Sequence, residues 1–281
     1  MEICLTLIFD SRHIGYMEAQ KIKEHWANWA SEYGVSIRAT TLAETAKTLE
    51  IDVLARRLHT IPNKYAHVLD VGCGNGINCV ELSKLFPQMR FDGIDYVADM
   101  IVAANEAARM ANVKDRIRFF HTDLFDWRKG SDKYDVVVTD RCLINLNTVA
   151  LQRKAIKILA SKLVEDGHLL MIENSLTMRE RQNDLREMLG LSRRRPAPFN
   201  LFFKEDELRS HIKAAGLELL EIEDFSSLHD LMLYVLIPAL TRSSEIDYEH
   251  PLVKIATELS LKAADMSFGS FGQNRLFICR K

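Results

Sequence analysis

Val68-Leu69-Asp70-Val71-Gly72-Cys73-Gly74-Asn75-Gly76 is the stretch on which the reading of this chain turns. Four residues of strand character run into a turn with glycine at alternate positions, and helix-like sequence from Ile77 to Phe86 follows at once. A strand that turns sharply into a helix aims backbone N–H groups and the positive end of the helix at one point. Glycine suits such a turn because a Cβ would keep a ligand away from the backbone. The stretch therefore reads as a nucleotide-type cofactor site. Spacing narrows the choice. A dinucleotide fingerprint needs G-x-G-x-x-G, but here the third glycine arrives one residue early, at Gly76, and Ile77 holds the dinucleotide position.

Outward from that stretch, Met89 to Asp95 reads as a second strand ending in an acid, 19 residues beyond Gly76. An acid there is placed to accept hydrogen bonds from ribose hydroxyls. A helix from Val97 to Ala111, a strand Ile117 to His121 and the turn Thr122-Asp123-Leu124 come next. Tyr134 to Thr139 is a continuous apolar strand, as expected when both faces of a sheet are covered. Helix Val149 to Val164 and strand His168 to Glu173 complete five strands alternating with four helices, which predicts a parallel, doubly wound sheet.

Residues 1–62 hold two predicted helices, Met17 to Tyr33 and Thr41 to His59, and read as an N-terminal helical appendage or lid on a main domain of residues 63–281. That domain carries two additions, at about 175–203 and 226–272. The first holds a charged helix (Thr177 to Leu189), the run Arg193-Arg194-Arg195 and Pro196-Ala197-Pro198-Phe199-Asn200. The second holds helices Leu228 to Leu240 and Pro251 to Ala264. Between them lie helix Lys204 to Ala215 and strand Leu217 to Asp224; strand Asn274 to Arg280 ends the chain.

A net charge of −2 and a pI near 6.5 argue against a broad polyanion-binding face, so no nucleic-acid partner is expected. Five cysteines (Cys4, Cys73, Cys79, Cys142, Cys279), odd in number and without zinc-knuckle spacing, read as reduced thiols of a cytoplasmic protein. Met1 to Phe9 is apolar but short, carries Glu2 and has no basic leader, so it does not read as a signal peptide. The apolar run Leu231 to Leu240 is too short to span a bilayer, and no membrane partner is expected.

The glycine stretch resembles the first motif of class I S-adenosylmethionine (SAM) methyltransferases, hydrophobic-hydrophobic-(Asp/Glu)-hydrophobic-Gly-x-Gly-x-Gly. Tyr96 to Ile101 is similar to the segment that follows the ribose-binding acid in that family, and Asp123-Leu124 to its adenine-binding pair. The resemblance covers residues 67–173 by motif, and 204–224 and 274–280 by order of elements alone. It implies an α/β fold: a doubly wound, seven-stranded, mostly parallel sheet (Rossmann-like, order 3-2-1-4-5-7-6, strand 7 antiparallel) with helical cap insertions. It also implies SAM as cofactor and S-adenosylhomocysteine (SAH) as product. In that family strands six and seven are joined almost directly, whereas here the long segment 225–272 intervenes. The resemblance further assigns Gly72, Gly74 and Gly76 to the approach of the methionyl part, and Asp70 to ordering the loop or reaching the methionyl ammonium. Asp95 would take the ribose, Tyr96 and Met100 would pack near ribose and adenine, Asp123 and Leu124 would take the adenine, and Arg141 would neighbour the methionyl group.

Methyl transfer is an in-line displacement in which the protein supplies proximity, alignment and water exclusion, and a positioned base can help a hydroxyl or ammonium acceptor. On the acceptor side Asn145 and Glu173 stand at the ends of strands four and five, Asn200 follows two prolines, and His229 and Tyr234 lie on the apolar helix of the second addition. His229 is the expected base, because His121 and His168 lie within strands. Trp26, Trp29 and Tyr33 form a helical stripe that reads as core, or as Tyr33 with Arg38 closing over the cofactor. Asp140, Glu173 and Asn174 occupy places where catechol-type methyltransferases hold Mg²⁺, but Arg141 and the large additions favour no metal. Arg193 to Arg195 read as a solvated loop, or as a group that binds an anion on a small substrate.

The expected activity is methyl transfer to an O or N nucleophile of a small molecule, by a protein for which a homodimer is admissible. The alternatives are an RNA or protein methyltransferase, for which Asp140-Arg141-Cys142-Leu143 lacks the Asn-Pro-Pro-Tyr type of tetrad, and a non-catalytic SAM-binding sensor or partner protein.

Overall fold

Strand β4 (Tyr134–Asp140) shows how the layers arise. Side chains alternate along a strand, so Val136 and Val138 enter one buried cluster while Val137 enters another on the opposite face; Tyr134 joins Val137 there because the register slips between Tyr134 and Val136. The computed structural model describes residues 19–127, 132–243 and 245–281. The apolar stretch Met1 to Phe9 and the first residues of the predicted N-terminal helix lie outside them.

In chain order the elements are α1 (Ala19–Tyr33), α2 (Glu44–His59), β1 (His67–Val71), α3 (Ile77–Leu85), β2 (Arg90–Asp95), α4 (Ala98–Met110), β3 (Ile117–His121), the single turn α5 (Leu124–Trp127), β4, α6 (Val149–Lys162), β5 (Leu163–Asn174), α7 (Leu176–Met188), α8 (Glu205–Ala214) and β6 (Glu218–Glu223). The second addition contributes α9 (Ser227–Leu231), a π-helical stretch Met232–Leu236, α10 (Ile237–Thr241) and α11 (Pro251–Lys262). β7 (Asn274–Arg280) ends the chain. The sheet order is β3-β2-β1-β4-β5-β7-β6, as the family resemblance implies. β1 to β5 run parallel, and β7 is antiparallel to both β5 and β6.

One face is covered by Val53, Leu54 and Leu58 of α2, Cys79, Val80 and Leu82 of α3, and Ala108 of α4. The other is covered by Ala155, Ile156 and Leu159 of α6 with Leu208 and Ile212 of α8. Residues 19–62 are thus not one appendage: α2 belongs to the main core, while α1 packs on α4 above it.

Two elements depart from the predicted boundaries. β5 begins at Leu163, where the helix was expected to continue, because fully buried Leu163 pairs with Tyr134 and Asp166 turns the chain at a positive φ of 58°. The apolar helix of the second addition is interrupted by the π stretch. Pro238 has no N–H to give the Tyr234 carbonyl, and Arg186 Nη1 donates to that carbonyl instead, at 2.5 Å. Among the described residues no helix is long and apolar enough to cross a membrane.

Because β1 to β5 are parallel, their carboxyl ends share one rim. The order reverses between β1 and β4, and the crevice beside such a reversal is where open α/β sheets bind ligands. α1, the segment 40–47 and both additions contribute walls above that rim.

Candidate active site

A cavity of about 770 Å³ occupies the crevice, within the roughly 300–1,000 Å³ range of small-molecule sites. Gly72 and Gly74 form its floor, at φ 70° and 54°. A Cβ on Gly72 would stand 2.4 Å from Cys142 Sγ, and one on Gly74 would stand 2.7 Å from Thr40 Cγ2. Gly74 therefore lets the segment before α2 descend onto the loop. Gly76 does not line the cavity. A Cβ there would meet Phe119 Cζ at 2.5 Å, so this glycine serves the packing of α3 on the sheet.

Asp95 lines the cavity and ties its floor together. Its Oδ2 accepts the Gly74 N–H and its Oδ1 the Val97 N–H, both at 2.9 Å. Burial pushes its pKa up to about 6, although those backbone donors favour the anion. A carboxylate has about four lone-pair positions, so two acceptor positions remain for a diol. Tyr96, Met100, Asp123 and Leu124 line the same wall; Asp123 Oδ1 accepts the Phe125 N–H at 2.7 Å, leaving Oδ2 for a ligand. Asp70 lies beneath, outside the lining, with Oδ2 3.7 Å from Cys79 Sγ. Burial, then Asp140, raises its pKa to about 7. It belongs to the support under the loop, not to the ligand wall.

At the seam between the two halves of the cavity, α2 delivers a charge network that sequence reasoning missed. Lys47 Nζ lies 2.5 Å from Asp140 Oδ2 and 2.8 Å from Glu50 Oε2. Arg141, at φ 52°, places Nε 2.9 Å from Glu50 Oε1. Asn78 donates to Asp140 and Asn274 to Glu50, and Asn174 donates to Asn274. Burial works against the Lys47 charge, but Asp140 and Glu50 outweigh it and hold the ammonium above its usual pKa. Burial likewise works against Asp140, yet Lys47 and Arg141 hold it below the usual carboxylate range. The available signal was helical spacing: Lys47 and Glu50 share the stripe of Leu54 and Leu58, which faces inward.

Arg141, Asn145, Asn200 and Tyr234 also line the cavity. Asn145 Nδ2 donates to the Arg141 carbonyl at 2.9 Å, while Oδ1 of Asn145 and of Asn200 are buried without a hydrogen-bond partner among the described residues. Glu173 is a correction. It is fully buried outside the lining and accepts from Thr139 Oγ1 and from the Leu143 and Ile144 N–H groups at 2.9–3.2 Å. It braces the turn after β4, and burial raises its pKa to about 8. Asp140 and Asn174 line the cavity, whereas Glu173 does not.

His229 is the second correction. It is fully buried and away from the cavity, with Nδ1 2.9 Å from Asp230 Oδ1 and Nε2 3.0 Å from Thr45 Oγ1. Both ring nitrogens are engaged in fastening α9 to α2, so neither faces the cavity. Tyr33 and Arg38 also stay outside. Tyr33 packs edge-on against Trp29, with centroids 5.6 Å apart, and Arg38 pairs with Glu44 and Glu249 at the surface.

The roof instead holds His25, Trp26 and Trp29 of α1 with Phe199 of the first addition. The His25 ring lies 4.4 Å from Phe199 and 5.0 Å from Trp26. Its Nε2 is buried without a hydrogen-bond partner among the described residues, and burial lowers its pKa. The spacing of Trp26 and Trp29 was legible; the pairing of His25 with Phe199, 174 residues apart in sequence, had no signal. Arg179, Arg194 and Arg195 also line the cavity. Arg193 points outward, paired with Glu180, Asp184 and Glu187.

A family model described as "Methyltransferase domain" matches residues 62–215. Among curated relatives, the malonyl-[acyl-carrier protein] O-methyltransferase of Bacillus cereus is 29% identical over 103 residues, which is 37% of this chain and 35% of that enzyme. The protein-lysine N-methyltransferase EFM4 of Saccharomyces cerevisiae is 37% identical over 75 residues, which is 26% of this chain and 32% of that enzyme. The matched segments thus span only about a third of these relatives. Among solved structures, an O-methyltransferase family protein from Burkholderia thailandensis superposes with a TM-score of 0.60 at 14% identity, covering 96% of this chain and 65% of that one. Magnesium protoporphyrin IX methyltransferase from Synechocystis PCC 6803 with bound SAH gives 0.58 at 16% identity, covering 94% and 100%.

Proposed function

The chain belongs to the methyltransferase-domain family of class I SAM-dependent enzymes, and on that premise we propose that it methylates an O or N nucleophile of a small-molecule acceptor. One observation carries this reading: Gly72, Gly74, Asp95, Met100, Asp123 and Leu124 line the same continuous cavity as Asn145, Asn200 and Tyr234. The residues present fit the cofactor. The glycine floor is a cradle that a Cβ would fill, Asp95 keeps acceptor capacity for two ribose hydroxyls, and Asp123 keeps a free oxygen for the adenine amino group. Bound there, SAM would offer its sulfonium methyl carbon to the nucleophile.

The chain's own groups align and shield. Asn145 and Tyr234 position the acceptor, while α1 and Phe199 roof the cavity and exclude water. Alignment of this kind can account for roughly 7–11 kcal/mol of barrier lowering. His25 Nε2 accepts the acceptor's proton; with its pKa lowered by burial, the ring is neutral at pH 7 and able to act as a base. The roof supports a small molecule over a folded protein or duplex RNA. Cys73, Cys79 and Cys279, buried and free of disulfides, support a reducing, cytoplasmic setting.

The test is calorimetric titration with SAH, followed by transfer of a labelled methyl group from SAM into a fractionated cell extract. Label in the low-molecular-weight fraction is expected. Label confined to protein or RNA would overturn the substrate class, and SAH binding with no transfer to any fraction would favour the sensor reading.

A further inference from the structure

We propose that the β5 side of the cavity is an anion subsite, in which Arg179 and Arg194 grip a carboxylate or phosphate group carried by the methyl acceptor. The word acceptor rests on the methyltransferase reading above; the subsite itself rests on how charge is distributed around α7.

The acids of α7 face outward. Glu180, Asp184 and Glu187 all pair with Arg193. Arg179 turns the other way and is only 3% exposed, yet it lines the cavity. Its Nε donates to the Arg194 carbonyl at 3.3 Å, its guanidinium sits 5.0 Å from the Phe202 ring centroid, and its Nη groups have no acceptor among the described residues. The Arg194 guanidinium lies 3.5 Å from the Tyr234 ring centroid, with one Nη 3.3 Å from Gln182 Oε1. No carboxylate of the described residues pairs with either arginine. Neighbouring acids are otherwise engaged: Glu180 by Arg193 and Asn183, and Asp230 by His229, Ser226 and the Gln273 N–H.

Burial, then the nearby Arg194, pushes Arg179 down to about 10. Buried charges in proteins are normally paired, and this chain does so at Lys47 and Arg141, which Glu50 and Asp140 balance. Buried Arg186 has the Ser192 and Tyr234 carbonyls as acceptors instead, but the buried Nη groups of Arg179 have neither, and half-buried Arg194 beside it adds a second positive charge, so the compensating charge comes from outside the chain. Guanidinium forks match carboxylate and phosphate in bidentate geometry. The polarity also runs sensibly along the cavity. The wall built from β2 and β3 carries Asp95 and Asp123, suited to a cationic cofactor, and the wall built after β5 carries the arginines.

The experiment uses the full chain saturated with SAH and follows quenching of cavity tryptophans Trp26 and Trp29, with calorimetry alongside, at fixed ionic strength. The probes are benzoate, phenyl phosphate and neutral benzamide. The anions should bind and benzamide should not, and the stronger of the two identifies the group as carboxylate or phosphate. Arg194→Gln and Arg179→Lys should each weaken the anion by roughly tenfold or more, leaving SAH affinity within about threefold, while Arg193→Gln should change neither. Should Arg179 variants fail to fold, Arg194→Gln and thermal shifts of the wild-type protein with each probe still decide. Benzamide binding as well as the anions, no anion binding, or folded arginine variants that bind like wild type would overturn the subsite. If SAH itself fails to bind, the cofactor reading falls, and the anion titration without SAH judges the arginines separately.

Discussion

The two halves of the cavity are built by opposite means. The wall around Gly72, Gly74, Asp95 and Asp123 comes from three consecutive strand ends, makes its internal bonds through backbone N–H groups, and is acidic. The wall opposite comes from α1, α7, the segment 194–200, Tyr234 and the approach to β7, is held by side chains stacked on side chains, and is basic. A wall made of backbone and consecutive strands leaves little room for variation, because the carboxylates that face the ligand are fixed by backbone N–H groups of the same strand ends. A wall made of stacked side chains can be remodelled residue by residue. This is the physical basis for expecting a common cofactor and an individual acceptor.

The largest effect should arise at the seam between the halves. Lys47→Met leaves buried Asp140 and Glu50 with Arg141 as their one cationic partner among the described residues, and should cost about 3–5 kcal/mol of stability in urea unfolding. A loss under about 1 kcal/mol would mean that the seam is hydrated and the halves independent.

Next comes a pair of substitutions, one on each wall. Asp95→Ala should weaken SAH by about 100-fold in calorimetry, because two charge-assisted hydrogen bonds and the tie to Gly74 are lost together. His25→Gln should lower kcat by about 100-fold at neutral pH while SAH affinity is unchanged. If both substitutions moved SAH affinity equally, the division of labour between the walls would be wrong.

A smaller effect concerns pH. Glu173 is an acid whose folded pKa, about 8, lies above its ordinary value of 4.5. Its contribution to stability is complete below the unfolded value and is lost as pH rises through the folded one. Asp70, near 7, and Asp95, near 6, act with the same sign. Thermal melts should therefore show stability falling between about pH 5 and about pH 9, and Glu173→Gln should remove roughly 2–4 kcal/mol of that fall. An unchanged slope would place the titration elsewhere.

The smallest effect is on turnover in His229→Gln. Loss of the Thr45 and Asp230 partners should lower the melting temperature by a few degrees, but kcat should stay within about threefold, since the ring does not reach the cavity. A collapse of kcat with the fold intact would reinstate it as the base.

The wall that could be read from sequence is the one whose members are close in sequence. Asp95 and Asp123 stand at strand ends whose positions follow from apolar runs, and both line the cavity. Gly76 and Asp70 belong to the same motif yet do not line it, because a motif specifies the turn and not which of its residues face outward. On the other wall, Glu173 and His229 were chosen for residue type and proximity to a strand end or an apolar helix. Both proved to satisfy buried donors instead, Glu173 for the turn after β4 and His229 for Thr45. A polar residue next to apolar ones has the same local pattern whether it faces a ligand or a neighbouring backbone. Lys47, His25 and Arg179 went unseen for the complementary reason, since their partners lie tens to hundreds of residues away.

The doubly wound sheet and the glycine turn were already settled by the sequence alone, because hydrophobic period and turn chemistry act over a few residues; the order of strands followed from the family resemblance that the motifs carry. Only the folded chain decided which histidine meets the cavity, which arginines lack a carboxylate, and that α2 closes the seam. Those outcomes depend on where remote segments land on one another, and local pattern carries no information about a contact until the sheet has brought its two sides together.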